Sequence, residues 1–530
     1  MTKDDKGRRE FLKGSGLVTA AMALSAETAW SQTSKETGSR QPFSVTQFGA
    51  KGDGTTLDSP AINAAIEAAA RAGGGVVFLP AGTYSCYSLR LKSNVTLLLS
   101  VGAKVAAADS PTTGGQGGYD LPEPNQPWEP YQDFGHNHWH NSLIWGEGVE
   151  NVAILGRGLI WGKGLTRGRN SEQPGVGNKA IALKNCRNVL LRDFSIFHGG
   201  WFGILATGVD NLTIDNLVID TNRDGMDIDC CRNVHLANCT VNSPWDDGIC
   251  LKSSYALGYA RATEMVTITN CLVTGSFEEG SVLDASYRLF APTAKVPRTG
   301  RIKFGTESNG GFKNITISNC VFQGCRGLAI ESVDGAIIED VCVSNLSMRE
   351  INGSPIFVRL GARMRGPAGV PVGVIRRVSL SHISCTTAAS PRISSIISGI
   401  PDHPIEDLRL TDFTVLHQGG GESGDAGRDV PEKEKDYPEP TMFGTTPSNG
   451  FYIRHATGVD MNAIKVEYAN PDARPVFVLD DVQGADFRFL KLPNPGNQRS
   501  FALKQVRDFS VFRSKPVGDA EFATADRREI

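Results

Sequence analysis

The sequence predicts an all-β fold, a right-handed parallel β-helix with an N-terminal capping helix, on three observations: a recurring strand phrase, asparagines recurring at coil-like intervals, and great length. From about Val149 to Val415 the phrases NVLLRDFSI, NLTIDNLVI, NVHLANCTV, MVTITNCLV, NITISNCVF, VIRRVSLSHISC and DLRLTDFTV each alternate apolar and polar residues, are rich in β-branched side chains and run into Gly, Asn or Asp. These are strands. Counted from Asn216, a stacked-type asparagine returns at Asn238, Asn270, Asn319 and Asn345, in steps of 22, 32, 49 and 26 residues. The shortest step fits one coil of a solenoid and the longer ones fit coils with inserted loops. Buried asparagines at such turns would bond neighbouring coils. An antiparallel sandwich would need frequent, evenly spaced Asn-Gly or Asp-Gly turns, which are scarce. A chain of 530 residues is also too long for one ordinary compact core.

Along the chain, GRREFLKGSGLVTAAMALSAETAW places Arg8 and Arg9 before a weakly apolar segment with small residues near Ala26 to Ala29. It looks like a twin-arginine export signal over residues 1–29, giving a periplasmic or secreted mature protein from about Trp30 and the twin-arginine machinery as a partner. Residues 42–515 then read as a single β-helix domain. PAINAAIEAAARAGGG predicts a helix with Asp58 or Ser59 as N-cap, Pro60 in its first turn, Ile62, Ile66 and Ala69 on one side, and Gly73 as its stop. That helix covers the first coil, and the coils begin at VVFLPAGTYS. Residues 276–300 read as an inserted loop and 419–440 as a long exposed loop.

A net charge of -3 argues for neither a nucleic-acid nor a membrane-surface partner, and no apolar run in the mature chain is long enough to span a bilayer. Eleven cysteines is an odd number without the clustering of a disulfide scaffold. Cys186, Cys239, Cys271 and Cys320 each follow an asparagine, so they read as stacked interior positions. No C-x-x-C pair suggests a metal, and no cofactor is implied.

Asp224 and the pair Asp246–Asp247 lie 22 and 23 residues apart, one coil, so they fall side by side on adjacent rungs. Clustered carboxylates raise one another's pKa, which keeps one protonated as a general acid while others stay ionised. A solvated turn or a calcium site is the structural alternative for such a pair. The segment NRDGMDIDCCRNVHLANCTVNSPWDDGICLKSS resembles the glycoside hydrolases of family 28, the polygalacturonases and rhamnogalacturonan-cleaving enzymes, as does the opening FSVTQFGAKGDGTTLDSPAINAAIEAAARAGGGVVFLPAGTY. The resemblance runs through most of the mature chain. It implies hydrolysis of a pectic glycan with inversion, Asp246 as general acid, and Asp224 and Asp247 holding and deprotonating the water. It also implies Asn222 and Lys252 as substrate contacts; the bland readings are a ladder asparagine for Asn222 and a surface charge for Lys252.

The chain departs from that family's pattern. GTESNGG supplies no histidine where the family carries Gly-His-Gly, and the family's carboxylate-gripping Arg-x-Lys falls on Ala329 and Glu331. The sugar on that coil is therefore expected to be neutral, as in a rhamnogalacturonan-type chain, with Glu331 accepting bonds from its hydroxyls or facing solvent. Arg301 and Lys303, two apart on a strand, point to one side and are expected to bind the anionic sugar instead. His136, His138 and His140 would share one strand face, with Trp139, as a sugar subsite, a metal site or core. Two other functions stay open: a polysaccharide lyase on the same solenoid, using Arg301 or Lys303, and a non-catalytic carbohydrate binder.

Overall fold

The computed structural model describes residues 41–530 apart from 112–116, 169, 171, 287, 292, 389–391 and 494–498, so the twin-arginine segment lies outside the described residues. Parallel strands stack coil upon coil in a right-handed β-helix, from Phe43–Ser44 to Phe501–Phe512. Early coils give one strand to each of three faces. Later coils merge two faces into one long bent strand, as where Phe312–Gln323 pairs with both Thr263–Thr269 and Leu272–Thr274.

Period-two alternation makes the core. Ile204, Met226, Ile249 and Ile302 stand in register on successive coils, followed by Ala206, Ile228, Leu251 and Phe304, and all are fully buried. Each such aliphatic or aromatic side chain contributes roughly 1.5–3 kcal/mol on leaving water. The corners need a left-handed residue, and Asn216, Asn238, Asn270, Asn319 and Asn345 supply it with φ between 55° and 59°. Their amides do bond across coils: Asn238 Nδ2 donates to Asp215 at 2.8 Å and Asn345 Nδ2 to Asn319 at 3.1 Å. These asparagines are exposed, not buried, because the left-handed corner turns the side chain outward. The following cysteine turns in. Cys186, Cys239, Cys271 and Cys320 are buried, and each thiol donates to the carbonyl two residues before it.

At the N-terminal end, helix Ser59–Arg71 buries Ile62, Ala65, Ile66 and Ala69. Asp58 precedes it, but its carboxylate accepts from the backbone of Lys51 and Gly52 rather than from the helix. At the other end the fold continues past residue 515. Strand Ala520–Glu529 runs antiparallel to Phe501–Phe512 and pairs the edge that the last coil would otherwise leave open.

The face that includes strands Phe202–Thr207, Asp224–Asp229, Ile249–Ser253, Ile302–Ser308 and Leu328–Ser332 is covered on its outer side by two segments. Trp139 packs with Ala182, Trp201, Phe202, Leu205 and Ala256 over the earlier coils. Val430 and Phe443 pack with Ala329, Phe357, Ile396 and Tyr452 over the later ones. The segment read as an exposed loop, 419–440, therefore returns to the sheet, because its apolar residues find an apolar outer row. Its charged residues reach the sheet too, since Glu439 turns inward to pair with the buried Arg301.

The corner geometry is testable at Asn238. Replacing Asn238 by valine, which resists a left-handed backbone, should lower unfolding free energy by about 1–2 kcal/mol in urea titration, whereas Asn238→Gly should lose much less.

Candidate active site

Asp224 opens strand Asp224–Asp229, and Asp246–Asp247 form the turn before strand Ile249–Ser253, so stacking of adjacent coils sets them together at one corner. Glycines permit the approach. A Cβ on Gly225 would stand 2.3 Å from the Gly248 carbonyl oxygen, and one on Gly203 would stand 2.6 Å from that of Gly225. One oxygen from each of Asp224, Asp246 and Asp247 lies within 4.8 Å of the others. That is tighter than the separation of roughly 6.5–9.5 Å expected between acid and base in an inverting enzyme.

The three carboxyls have different surroundings. Asp247 is buried; Arg301 Nε donates to its Oδ1 at 2.8 Å and Lys303 Nζ lies 3.4 Å from its Oδ2. Burial alone would raise its pKa, but Lys303, Arg301 and Lys252 pull it down to about 2. Asp246 is raised by enclosure and by the charge of Asp247. Asp224 is raised well above the carboxylate range by burial and then by Asp246 and Asp227. Those opposite shifts favour a proton on the Asp224/Asp246 side of the cluster and a charge on Asp247. Asp246, with a side chain 35% exposed, is the member that faces an open hollow of about 720 Å³, lined also by Thr166, Arg167, Asn222, Arg223 and Trp245.

Several residues chosen from sequence as sugar contacts lie elsewhere. Arg301 and Lys303 do point to one side, but they are 1% and 2% exposed and already ion-paired: Arg301 also bonds Glu439 at 2.5 Å, and Lys303 contacts Glu331 and the Tyr437 hydroxyl. They hold Asp247 rather than an incoming anion. Glu331 is buried beneath the returning segment, which also roofs Ala329, so it meets neither solvent nor sugar; burial pushes its pKa up to about 7. Lys252 is no surface charge either. It is buried, 2.8 Å from Glu307 and 3.6 Å from Asp227.

The histidines do not share a strand face. Residues Phe134–Asn137 form a short helix, which sends His136 Nε2 to Asp227 at 3.2 Å, while His138 bonds the Phe134 carbonyl and the Asn125 side chain, both histidines being buried. His140 turns to Glu147 and Glu123. Trp139 is core, its indole bonded to Thr207. Asn222 does reach the hollow, with an enclosed Oδ1 that has no hydrogen-bond partner among the described residues.

Sequence reading missed Arg167, Arg223 and Trp245. Arg223 Nε lies 3.4 Å from Asp246 and its guanidinium stacks on Trp201 at 4.4 Å. Its place inside the Asn-x-Asp-Gly segment was a usable signal; Arg167, in a loop outside the repeat, gave none. A second hollow of about 690 Å³ lies far along the solenoid, near Tyr452 and Lys504, away from the three aspartates.

Residues 42–249 match the family described as Rhamnogalacturonase A/epimerase, pectate lyase-like. An exo-poly-alpha-D-galacturonosidase of Dickeya chrysanthemi is 26% identical over 212 residues, 39% of this chain and 33% of that protein, so the likeness spans about a third of its length. A "Probable polygalacturonase" of Vitis vinifera is 22% identical over 394 residues, 70% of this chain and 74% of the relative. In structure, the chain is similar to an exopolygalacturonase from Thermotoga maritima with a TM-score of 0.59 at 17% identity, covering 81% of this chain and 92% of the other. That last likeness speaks for the fold.

The glycine stack makes a prediction. Gly225→Ala should destabilise the protein by about 1–3 kcal/mol, since the methyl meets backbone rather than a mobile side chain, and should displace Asp224. A melting curve reads the first effect and a crystal structure of the variant the second.

Proposed function

Because the chain is a divergent, family 28-like member of the pectin-lyase-like β-helix proteins, we propose that it hydrolyses glycosidic bonds of a pectic glycan of rhamnogalacturonan type. The observation that carries this reading is the convergence of three carboxyls whose surroundings push them toward opposite charge states, with Asp246 facing the hollow. Asp246 gives its proton to the leaving glycosidic oxygen as the anomeric C–O bond breaks. Asp247 takes a proton from the water whose oxygen joins the anomeric carbon, and Asp224 helps to hold that water. Inversion is the outcome implied by the resemblance, and the anomeric form of the fresh product reads it directly. The close packing of the carboxylates makes that measurement a real choice between the two outcomes.

A rhamnogalacturonan-type chain suits the charges around the site. The position of the family's clamp, Ala329 and Glu331, is roofed over and presents no cation to the groove. The only cations on the hollow are Arg167 and Arg223, on one flank, among its described lining residues. Alternation of charged and neutral sugars fits such one-sided charge better than a polyuronate does, because an unpaired carboxylate in a groove is costly. The covers over both neighbouring stretches of sheet shorten the open groove, which favours attack near a chain end. A lyase reading loses support, since Arg301 and Lys303 are buried in ion pairs and neither is free to abstract a proton. In this reading the protein is exported through its twin-arginine segment and works in the periplasm or outside the cell.

The test is incubation with rhamnogalacturonan and homogalacturonan oligosaccharides of similar length, with products identified by mass and anomeric configuration. Reducing ends released faster from rhamnogalacturonan are expected. Ultraviolet-absorbing unsaturated products would point to a lyase, and binding without cleavage to a carbohydrate-binding solenoid. Asp246→Asn should keep the fold and lower turnover by about a hundredfold or more, the scale of a lost general acid.

The pairing of Asp247 predicts a pH effect of definite sign. The base must be ionised, and Lys303, Arg301 and Lys252 hold its pKa low. Removing one, in Arg301→Met, raises that pKa, so the acidic limb of the kcat/KM profile should move to higher pH. An unmoved limb would show that Asp247 is not the titrating base.

A further inference from the structure

The hollow beside Asp246 holds two cations and an aromatic ring that proton transfer does not require. Arg167 is exposed, and no carboxylate of the described residues lies within ion-pair distance of it. Its Nη1 donates to the Asn222 carbonyl at 3.4 Å, while Arg223 Nη1 donates to the Arg167 carbonyl at 3.1 Å, so the two segments are tied together. Arg223 lies flat on Trp201, and the Arg167 guanidinium stands 5.9 Å from the ring of Trp245. Arg223 directs Nε to Asp246 and Nη1 to the Arg167 carbonyl, which leaves its Nη2, with the remaining N–H groups of the exposed Arg167, for a carboxylate.

Trp245 precedes the general acid in sequence, lines the hollow and is 45% exposed. An indole in that position leaves a flat apolar surface in water, and the C–H face of a pyranose matches it. Asn222 adds an enclosed acceptor, Oδ1, without a donor among the described residues. A volume of about 720 Å³ accommodates at least one sugar ring.

We infer that this hollow is a binding subsite for a uronate residue, with Arg167 and Arg223 gripping the sugar carboxylate, Trp245 under the ring and Asn222 accepting from a hydroxyl. The sugar class rests on the pectic reading above; the anion-plus-ring chemistry rests on these four residues. Recognition of the charged sugar is thereby moved to the flank that precedes the catalytic aspartates in the chain. The buried Arg301 and Lys303 are left to Asp247, and the later coils need no clamp.

The test uses uncleaved probes, so that binding and hydrolysis are read separately. The intact protein is titrated with galacturonate, with galactose as its uncharged counterpart, and with acetate as a carboxylate without a ring, following heat and tryptophan fluorescence. Galacturonate is expected to bind roughly tenfold or more tightly than either, the scale of a charge-assisted bond. Arg167→Gln, at an exposed residue remote from the acids' own bonds, should erase the preference over galactose without changing the melting temperature. Trp245→Leu should weaken both sugars and abolish the fluorescence change. Equal affinity for galacturonate and galactose, acetate as tight as galacturonate, or full preference in Arg167→Gln would each overturn the subsite. Preference that depends on Arg167, in a protein that cleaves no pectic oligosaccharide, would keep the subsite and remove the hydrolase reading; cleavage without that preference would do the reverse.

Discussion

The buried pairing of Asp247 with Arg301 and Lys303 is the constraint on which the rest of the site depends. An acid and two cations held away from water are costly unless each is matched. Here the match is made between coils: the acid comes from the turn before one strand, the cations from the strand one coil later. The surplus positive charge is taken up by Glu439 and Glu331, and Tyr437 closes over Lys303. Stacking of the solenoid thus holds Asp247 toward its charged form.

From that charge the other two carboxyls take their states. Asp246 sits beside an ionised Asp247 in a partly enclosed corner, and Asp224 is buried behind it, so both are pushed toward the protonated form. Without the cations nearby, Asp247 would lose what lowers its pKa against burial, and the contrast among the three carboxyls would shrink. The segment around Tyr437–Glu439 has two effects at once, since it covers the apolar outer row of the later coils and completes the ion pairs under the site.

The asparagine and cysteine repeats marked the coils correctly because each answers a local demand, a left-handed corner and a small buried neighbour after it. The burial of the asparagines was misjudged, since a sequence repeat shows that a position is stacked without showing which way it faces. Asp224, Asp246 and Asp247 were legible because one coil of chain separates them. His136 and His138 were misread because a short helix replaced the strand supposed for them, and neither alternation nor spacing distinguishes four residues of helix from four of strand. Arg301 and Lys303 were recognised as paired on one side, but their partners Glu439 and Tyr437 lie more than a hundred residues away in the chain.

The sequence by itself determined the strands, the corners, the capping helix and the meeting of the aspartates, all of which follow from side chains within one or two coils of each other. Tertiary structure alone decided which charges are buried, which hollow remains open beside Asp246 and which arginines border it. The physical reason is the landing place of the long connections. A strand repeat constrains its nearest neighbours through register, whereas the segments around Trp139, Arg167 and Tyr437 are placed by apolar contacts and ion pairs whose partners come from distant parts of the chain.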